Sequence, residues 1–129
     1  MKKKYLIVVA DYYHEISNGL LDSALRTIPK LSFIKIIKVP GVFEIPVTIS
    51  KNIKRYDAFL ALGCVIKGQT PHFNFISTAT TNSLMDLSIK SKKPIGNGVI
   101  TCLNMNQAKA RKKKGREAAK AVLSILSQK

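Results

Sequence analysis

Residues able to do acid–base or anion chemistry gather in a few short stretches of this 129-residue chain. The segment Lys67-Gly68-Gln69-Thr70-Pro71-His72-Phe73 holds one of its two histidines. An imidazole titrates near neutrality and can pass protons during imine formation or elimination. Thr70 and the backbone amides around Gly68 could hold an anion, and Arg111 supplies the planar guanidinium fork that suits phosphate. Together they point to a phosphorylated small molecule. Spacing alone leaves His72 open, because a lone loop histidine is more often structural or solvated. Glu44, too, has a plain structural reading, as an acid favoured at a helix N-terminus by the dipole.

These residues need a frame, and the apolar pattern supplies one. Short β-branched runs alternate with segments of helical period, which predicts a parallel sheet with crossover helices. The strands fall at Tyr5–Ala10, Phe33–Val39, Ala58–Ile66 and Ile95–Thr101. Ile16, Leu20, Ala24, Leu25 and Ile28 form one helical stripe closed by Pro29. Pro46 is tolerated only in a first turn, so a helix is expected from about Glu44 through Ile53. A polar helix is expected over Phe75–Lys90, after the glycine and proline of the Lys67–Phe73 loop. Asn104 and Gln107 have capping-box spacing for a helix through Arg111, and Ala118, Ala119, Val122, Leu123 and Leu126 form the closing amphipathic stripe.

In such a sheet the ligand crevice lies outside the carboxyl ends of the strands. The loops expected there contain Asp11 to His14, Pro40 to Glu44, Lys67 to Phe73 and Cys102 to Arg111. That predicts an aromatic, partly cationic pocket.

Composition removes other classes. With 46% hydrophobic residues and a mean hydropathy of +0.05, the chain is too apolar for disorder, yet no apolar run approaches the ~18 residues of a membrane span. One domain over 1–129 is expected. The lysines before Tyr5–Ala10 resemble a secretory leader, but Asp11 and His14 interrupt it without a small-residue cleavage site, so a first strand in a cytoplasmic protein is expected. Cys64 and Cys102 lack CxxC spacing and paired histidines, which argues for buried reduced thiols and against a metal site. The balance of 22 basic to 7 acidic residues, net +15, raises nucleic acid as a partner. The run Lys109, Arg111, Lys112, Lys113, Lys114 and Arg116 is its strongest argument. Against a nucleic-acid-binding protein, no binding motif is visible and the aromatics, 7% of the chain, are not interleaved with the run.

Three ordered motifs carry a resemblance. Val39-Pro40-Gly41-Val42-Phe43-Glu44-Ile45-Pro46, then Leu62-Gly63-Cys64-Val65-Ile66-Lys67-Gly68-Gln69-Thr70-Pro71-His72-Phe73, then Asn97-Gly98-Val99-Ile100-Thr101 with Asn106-Gln107-Ala108 and Arg111, closely resemble the lumazine synthase family. The resemblance runs from Leu6 to near the C-terminus. It implies a flavodoxin-like three-layer α/β sandwich with a four-stranded parallel sheet. It further implies a cofactor-free transferase condensing 5-amino-6-(D-ribitylamino)uracil with 3,4-dihydroxy-2-butanone 4-phosphate to 6,7-dimethyl-8-ribityllumazine, the penultimate step of riboflavin biosynthesis.

By matching position, His72 resembles the proton-transfer residue, and Gln69, Thr70 and Arg111 resemble the phosphate site. Val42, Phe43 and Glu44 resemble the segment binding the ribityl chain and pyrimidine, with Cys64, Val65 and Ile66 at the pyrimidine edge. Tyr12 aligns with the stacking aromatic, or Tyr13 if the register slips by one. Lys67 sits where relatives have lysine or arginine, and Lys114 resembles a lysine near the pyrimidine carbonyl. Asn97 stands where many relatives have a pocket-lining phenylalanine. Family sites lie between neighbours in a ring of five, with residues like His72 and Arg111 from different subunits. The short Arg111–Gly115 connection and the start close to the first strand favour an isolated pentamer, or a pair of pentamers, over a sixty-subunit shell. A non-catalytic flavin- or lumazine-binding member is the alternative within the family; His72, Thr70 and Arg111 together argue against it.

Overall fold

The computed structural model describes residues 2–128. Its elements run β1 (Lys4–Ala10), α1 (His14–Leu25), β2 (Phe33–Val39), a single 3-10 turn (Val42–Glu44), α2 (Ile45–Lys51), β3 (Ala58–Ile66), α3 (His72–Ser91), β4 (Ile95–Cys102), α4 (Met105–Ala110) and α5 (Lys114–Leu126). The four strands form one sheet in the order β2-β1-β3-β4, and every pairing is parallel. The α/β expectation and all four strands are therefore met.

The order follows from burial. Tyr5 through Ala10 and Ala58 through Cys64 have both sheet faces covered, as a continuous apolar run requires. β2 and β4 take the edges, so Phe33 and Ile36 stay exposed despite their hydrophobicity.

One apolar cluster packs Ile7, Val9, Leu60 and Leu62 against Ile16 and Leu20 of α1 and Ala119 and Val122 of α5. The other packs Leu6, Val8, Phe59 and Ala61 against Ile45 and Ile49 of α2 and Leu84 of α3. Helices thus cover both faces, giving the three-layer sandwich that the resemblance implied. None of the described helices is long and apolar enough to cross a membrane.

Three boundaries differ from expectation. α1 ends at Leu25 with Arg26 as C-cap, so Ile28 is buried beyond the helix and Pro29 does not close it. α3 starts at His72, not Phe75, because Pro71 serves as N-cap and its carbonyl accepts from the amides of Asn74 (3.0 Å) and Phe75 (3.2 Å); a proline at a helix start costs no hydrogen bond. α2 stops at Lys51, where the Asn52 amide side chain turns back to the Thr48 carbonyl at 2.8 Å. The capping box before α4 forms with a shift: Asn104 Oδ1 accepts from the Gln107 amide at 2.9 Å, while Gln107 Oε1 accepts from Leu103, one residue upstream of the cap.

The α4–α5 connection is strapped to α1. The Ser23 hydroxyl donates to the Lys112 carbonyl (3.0 Å) and accepts from the Arg116 amide (3.1 Å). Lys112 Nζ donates to Glu15 at 2.7 Å, which holds the Glu15 carboxyl below its ordinary range. The strap closes only because Gly115 lacks a side chain: a Cβ there would overlap the Leu20 carbonyl oxygen and approach Ser23 Oγ to 2.6 Å.

Gly115→Ala is therefore expected to lower unfolding stability by about 2 kcal/mol or more, through forced separation of α1 and α5. Gly68→Ala, with nothing within 4 Å, should stay within ~0.5 kcal/mol. Urea denaturation of both variants checks the contrast.

Candidate functional site

The order in which strands are added reverses between β1 and β3, and a crevice opens there at the carboxyl ends of the strands. It is a cleft of about 510 Å³. From the end of β1 come Tyr12 and Tyr13, their ring centroids 4.9 Å apart and nearly perpendicular. Burial, then Tyr12 and Cys64 nearby, raises the Tyr13 phenol above its ordinary pKa.

Past β2, Gly41, Val42, Phe43 and Glu44 form the opposite wall. The Gly41 amide donates to Glu44 Oε1 at 3.0 Å, and the Glu44 amide returns a bond to the Gly41 carbonyl at 3.2 Å. This reciprocal pair fixes the carboxylate, one oxygen bonded and the other free to accept hydrogen bonds from a ligand.

Cys64, Val65 and Ile66 of β3 make the floor, and His72 with Ile76 of α3 closes the side. His72 is exposed, and its amide makes a long 3.4 Å contact with Thr70 Oγ1. Among the described residues no three His, Cys, Asp or Glu side chains gather where they could hold a metal ion.

One cleft thus unites Tyr12, Val42, Phe43, Glu44, Cys64, Val65, Ile66 and His72. The remaining candidates lie elsewhere. Arg111 and Lys114 line a separate cavity of about 450 Å³ beside Val99 and Thr101. Arg111 Nη1 donates to the Thr101 carbonyl at 3.2 Å and lies 4.0 Å from Cys102 Sγ; Lys114 Nζ meets Glu117 at 3.4 Å. Gln69 and Thr70 are exposed on the β3–α3 loop and line neither space. Asn97, exposed on edge strand β4, lines neither as well, and its Oδ1 accepts from the Val99 amide at 3.0 Å.

Gly41 and Ile76 join the lining without having been singled out as ligands. Ile76 sits one helical turn beyond His72, a spacing informative only once α3 is known to begin at His72.

The family model for 6,7-dimethyl-8-ribityllumazine synthase matches residues 2–129. The chain belongs to that family. A synthase of this name from Bartonella henselae is 43% identical over 138 residues, covering 99% of this chain and 89% of the relative. One from Arthrobacter sp. (strain FB24) is 40% identical, covering 94% and 81%, and one from Cutibacterium acnes is 37% identical, covering 96% and 80%.

Within this family fold, both cysteines are free and buried. Burial, followed by the neighbouring Cys102, pushes the Cys64 thiol from an ordinary 9.0 up to about 12. The cleft floor is therefore neutral, and Cys64 is no nucleophile near neutrality.

The unfolded chain releases the Cys64 proton near 9.0 and the folded chain near 12. The stability this lends is complete below about pH 9 and lost as pH rises toward 12. Cys64→Ala should flatten that alkaline decline in urea-unfolding midpoints. At about pH 8, iodoacetamide should leave native Cys64 unlabelled and modify it after unfolding, read by mass spectrometry.

Proposed function

We propose that the chain condenses 5-amino-6-(D-ribitylamino)uracil with 3,4-dihydroxy-2-butanone 4-phosphate to 6,7-dimethyl-8-ribityllumazine, releasing phosphate and two waters, in riboflavin biosynthesis. Family membership supports the reaction. The observation that carries the site is the β1–β3 cleft, which joins aromatic walls, an anchored carboxylate and a histidine at its rim.

Tyr12 and Phe43 offer faces for the pyrimidine, and an electron-rich ring at offset-stacking distance suits that heterocycle. Glu44 accepts hydrogen bonds from ribityl hydroxyls, and Val42, Cys64, Val65 and Ile66 surround the ring edge. His72 moves protons as the 5-amino group attacks the ketone, water leaves the carbinolamine and phosphate is eliminated. Gln69, Thr70 and Arg111 hold the phosphate, whose departing charge the guanidinium stabilises. Holding two small substrates together out of water supplies most of the acceleration, since condensation of an amine with a ketone is intrinsically accessible.

The phosphate residue Arg111 opens on a different cavity from His72, which favours a site completed by a neighbouring subunit. In that arrangement the Arg111, Lys114 and Asn97 side of one copy faces the His72 side of the next. Phe43, Val47, Phe75, Met85 and Ile89 are exposed on one chain, as a contact face between copies would be. A homopentamer, working in the cytoplasm, is the assembly we favour.

His72→Ala should lower kcat roughly tenfold or more. Arg111→Ala should raise KM for the ketose phosphate by a factor of roughly ten, with little change for the pyrimidine. Unfolding and refolding an equal mixture of the two variants should restore about one quarter of wild-type activity, because one neighbour pair in four then carries both intact residues. Recovery no greater than the sum of the separate variants contradicts a site shared between subunits.

A further inference from the structure

Beside the cleft, Asp11 makes contacts that the reaction as described does not use. It is the first residue past β1. Its amide donates to the Val39 carbonyl at 2.9 Å, at the end of β2. Its Oδ1 accepts from His14 Nδ1 at 2.9 Å, at the start of α1, and its Oδ2 faces Lys38 Nζ at 3.9 Å. The N-cap of α1 is Tyr13, and it receives no side-chain cap. The acid beside this helix start thus bonds a side chain instead of the helix amides.

Asp11 and His14 are separated only by Tyr12 and Tyr13, so their bond closes a four-residue loop around the two aromatics of one cleft wall. The Asp11–Val39 bond ties that loop to the strand leading into Gly41–Glu44, the opposite wall. From beneath, the buried Ser17 hydroxyl shares its hydrogen between the carbonyls of Ala10 (2.8 Å) and Tyr13 (3.0 Å). Tyr12 itself is 71% exposed and packs edge-on against Tyr13. Apart from that edge contact, the loop that carries it is what sets its pitch. An exposed aromatic that must order when a ring stacks on it binds more weakly than one already held.

We propose that Asp11 and His14 are a positioning pair that holds Tyr12 at the pitch needed for the pyrimidine substrate, sparing the ordering cost at binding. The proposal rests on the reading of Tyr12 as a wall of the pyrimidine site. The His14 side chain is 76% exposed, so the pair contributes little to global stability, and its effect should be confined to binding.

Steady-state kinetics with both substrates test this. Asp11→Ala should raise KM for the ribitylaminouracil roughly three- to tenfold, leave KM for the ketose phosphate within about twofold, and keep the melting temperature within about 3 °C. Asp11→Asn should recover most of the loss, since its amide oxygen can accept the same bond from His14. His14→Ala should match Asp11→Ala, and the double variant should be no worse than either alone. Unchanged KM values, equal rises for both substrates, a loss that tracks a lower melting temperature, or no recovery in Asp11→Asn would each overturn the clamp. Product formation by the wild type in the same assay separates the two readings. If no lumazine forms, the reaction assignment falls and the clamp with it; if it forms and Asp11→Ala is unaffected, only the clamp falls.

Discussion

Double-sided burial of β1 and β3 is the constraint from which the rest of the molecule follows. Tyr5–Ala10 and Ala58–Cys64 expose almost nothing on either face, so both strands must sit in the middle of the sheet with helices above and below. Chain order then sends β2 to one side and β4 to the other, and the reversal opens the crevice between the central pair. The residues that can do chemistry lie just past the strand ends because the strands themselves are filled with core side chains. Covering β1 and β3 with α1 and α5 also demands close approach. Gly115 meets Leu20, and the same crossing fixes the corner that bears Arg111.

The frame was legible because it repeats. The continuous apolar runs of β1 and β3 and the stripe Ile16, Leu20, Ala24, Leu25 and Ile28 each contain several positions that agree; Tyr5–Ala10, Ala58–Leu62 and the stripe apart from half-buried Leu25 are buried. Single-residue punctuation was harder to read. Pro71 signals a break in the sequence, yet it opens α3, since a proline at that point interrupts no helical bond. Membership of the cleft was legible for loops entering it directly from a strand, such as Tyr12 and Val42–Glu44.

Placement of Arg111, Lys114 and Asn97 was not legible from spacing. For Arg111 and Lys114 it depends on how α4 and α5 fold back, which is set by the Ser23, Lys112 and Gly115 contacts made across distant sequence, whereas Asn97 lies on β4 itself and points outward by strand alternation. The Asp11–His14 bond was hidden for another reason. Two polar residues three apart are common, and only the surrounding tyrosines and the Val39 contact give the pair a use. The basic run at the same corner divides likewise: Lys112 and Lys114 meet Glu15 and Glu117, while Arg111 turns to the Thr101 carbonyl at the cavity beside β4.

A cleft with aromatic walls and a histidine at its rim suits condensation by positioning and proton transfer. The most direct measurement combines purified wild-type protein with the two substrates and follows lumazine fluorescence and inorganic phosphate together. Product is expected to form above the spontaneous rate, with one phosphate released for each lumazine formed. A rate equal to the spontaneous one, or phosphate released without lumazine, would contradict the proposed reaction.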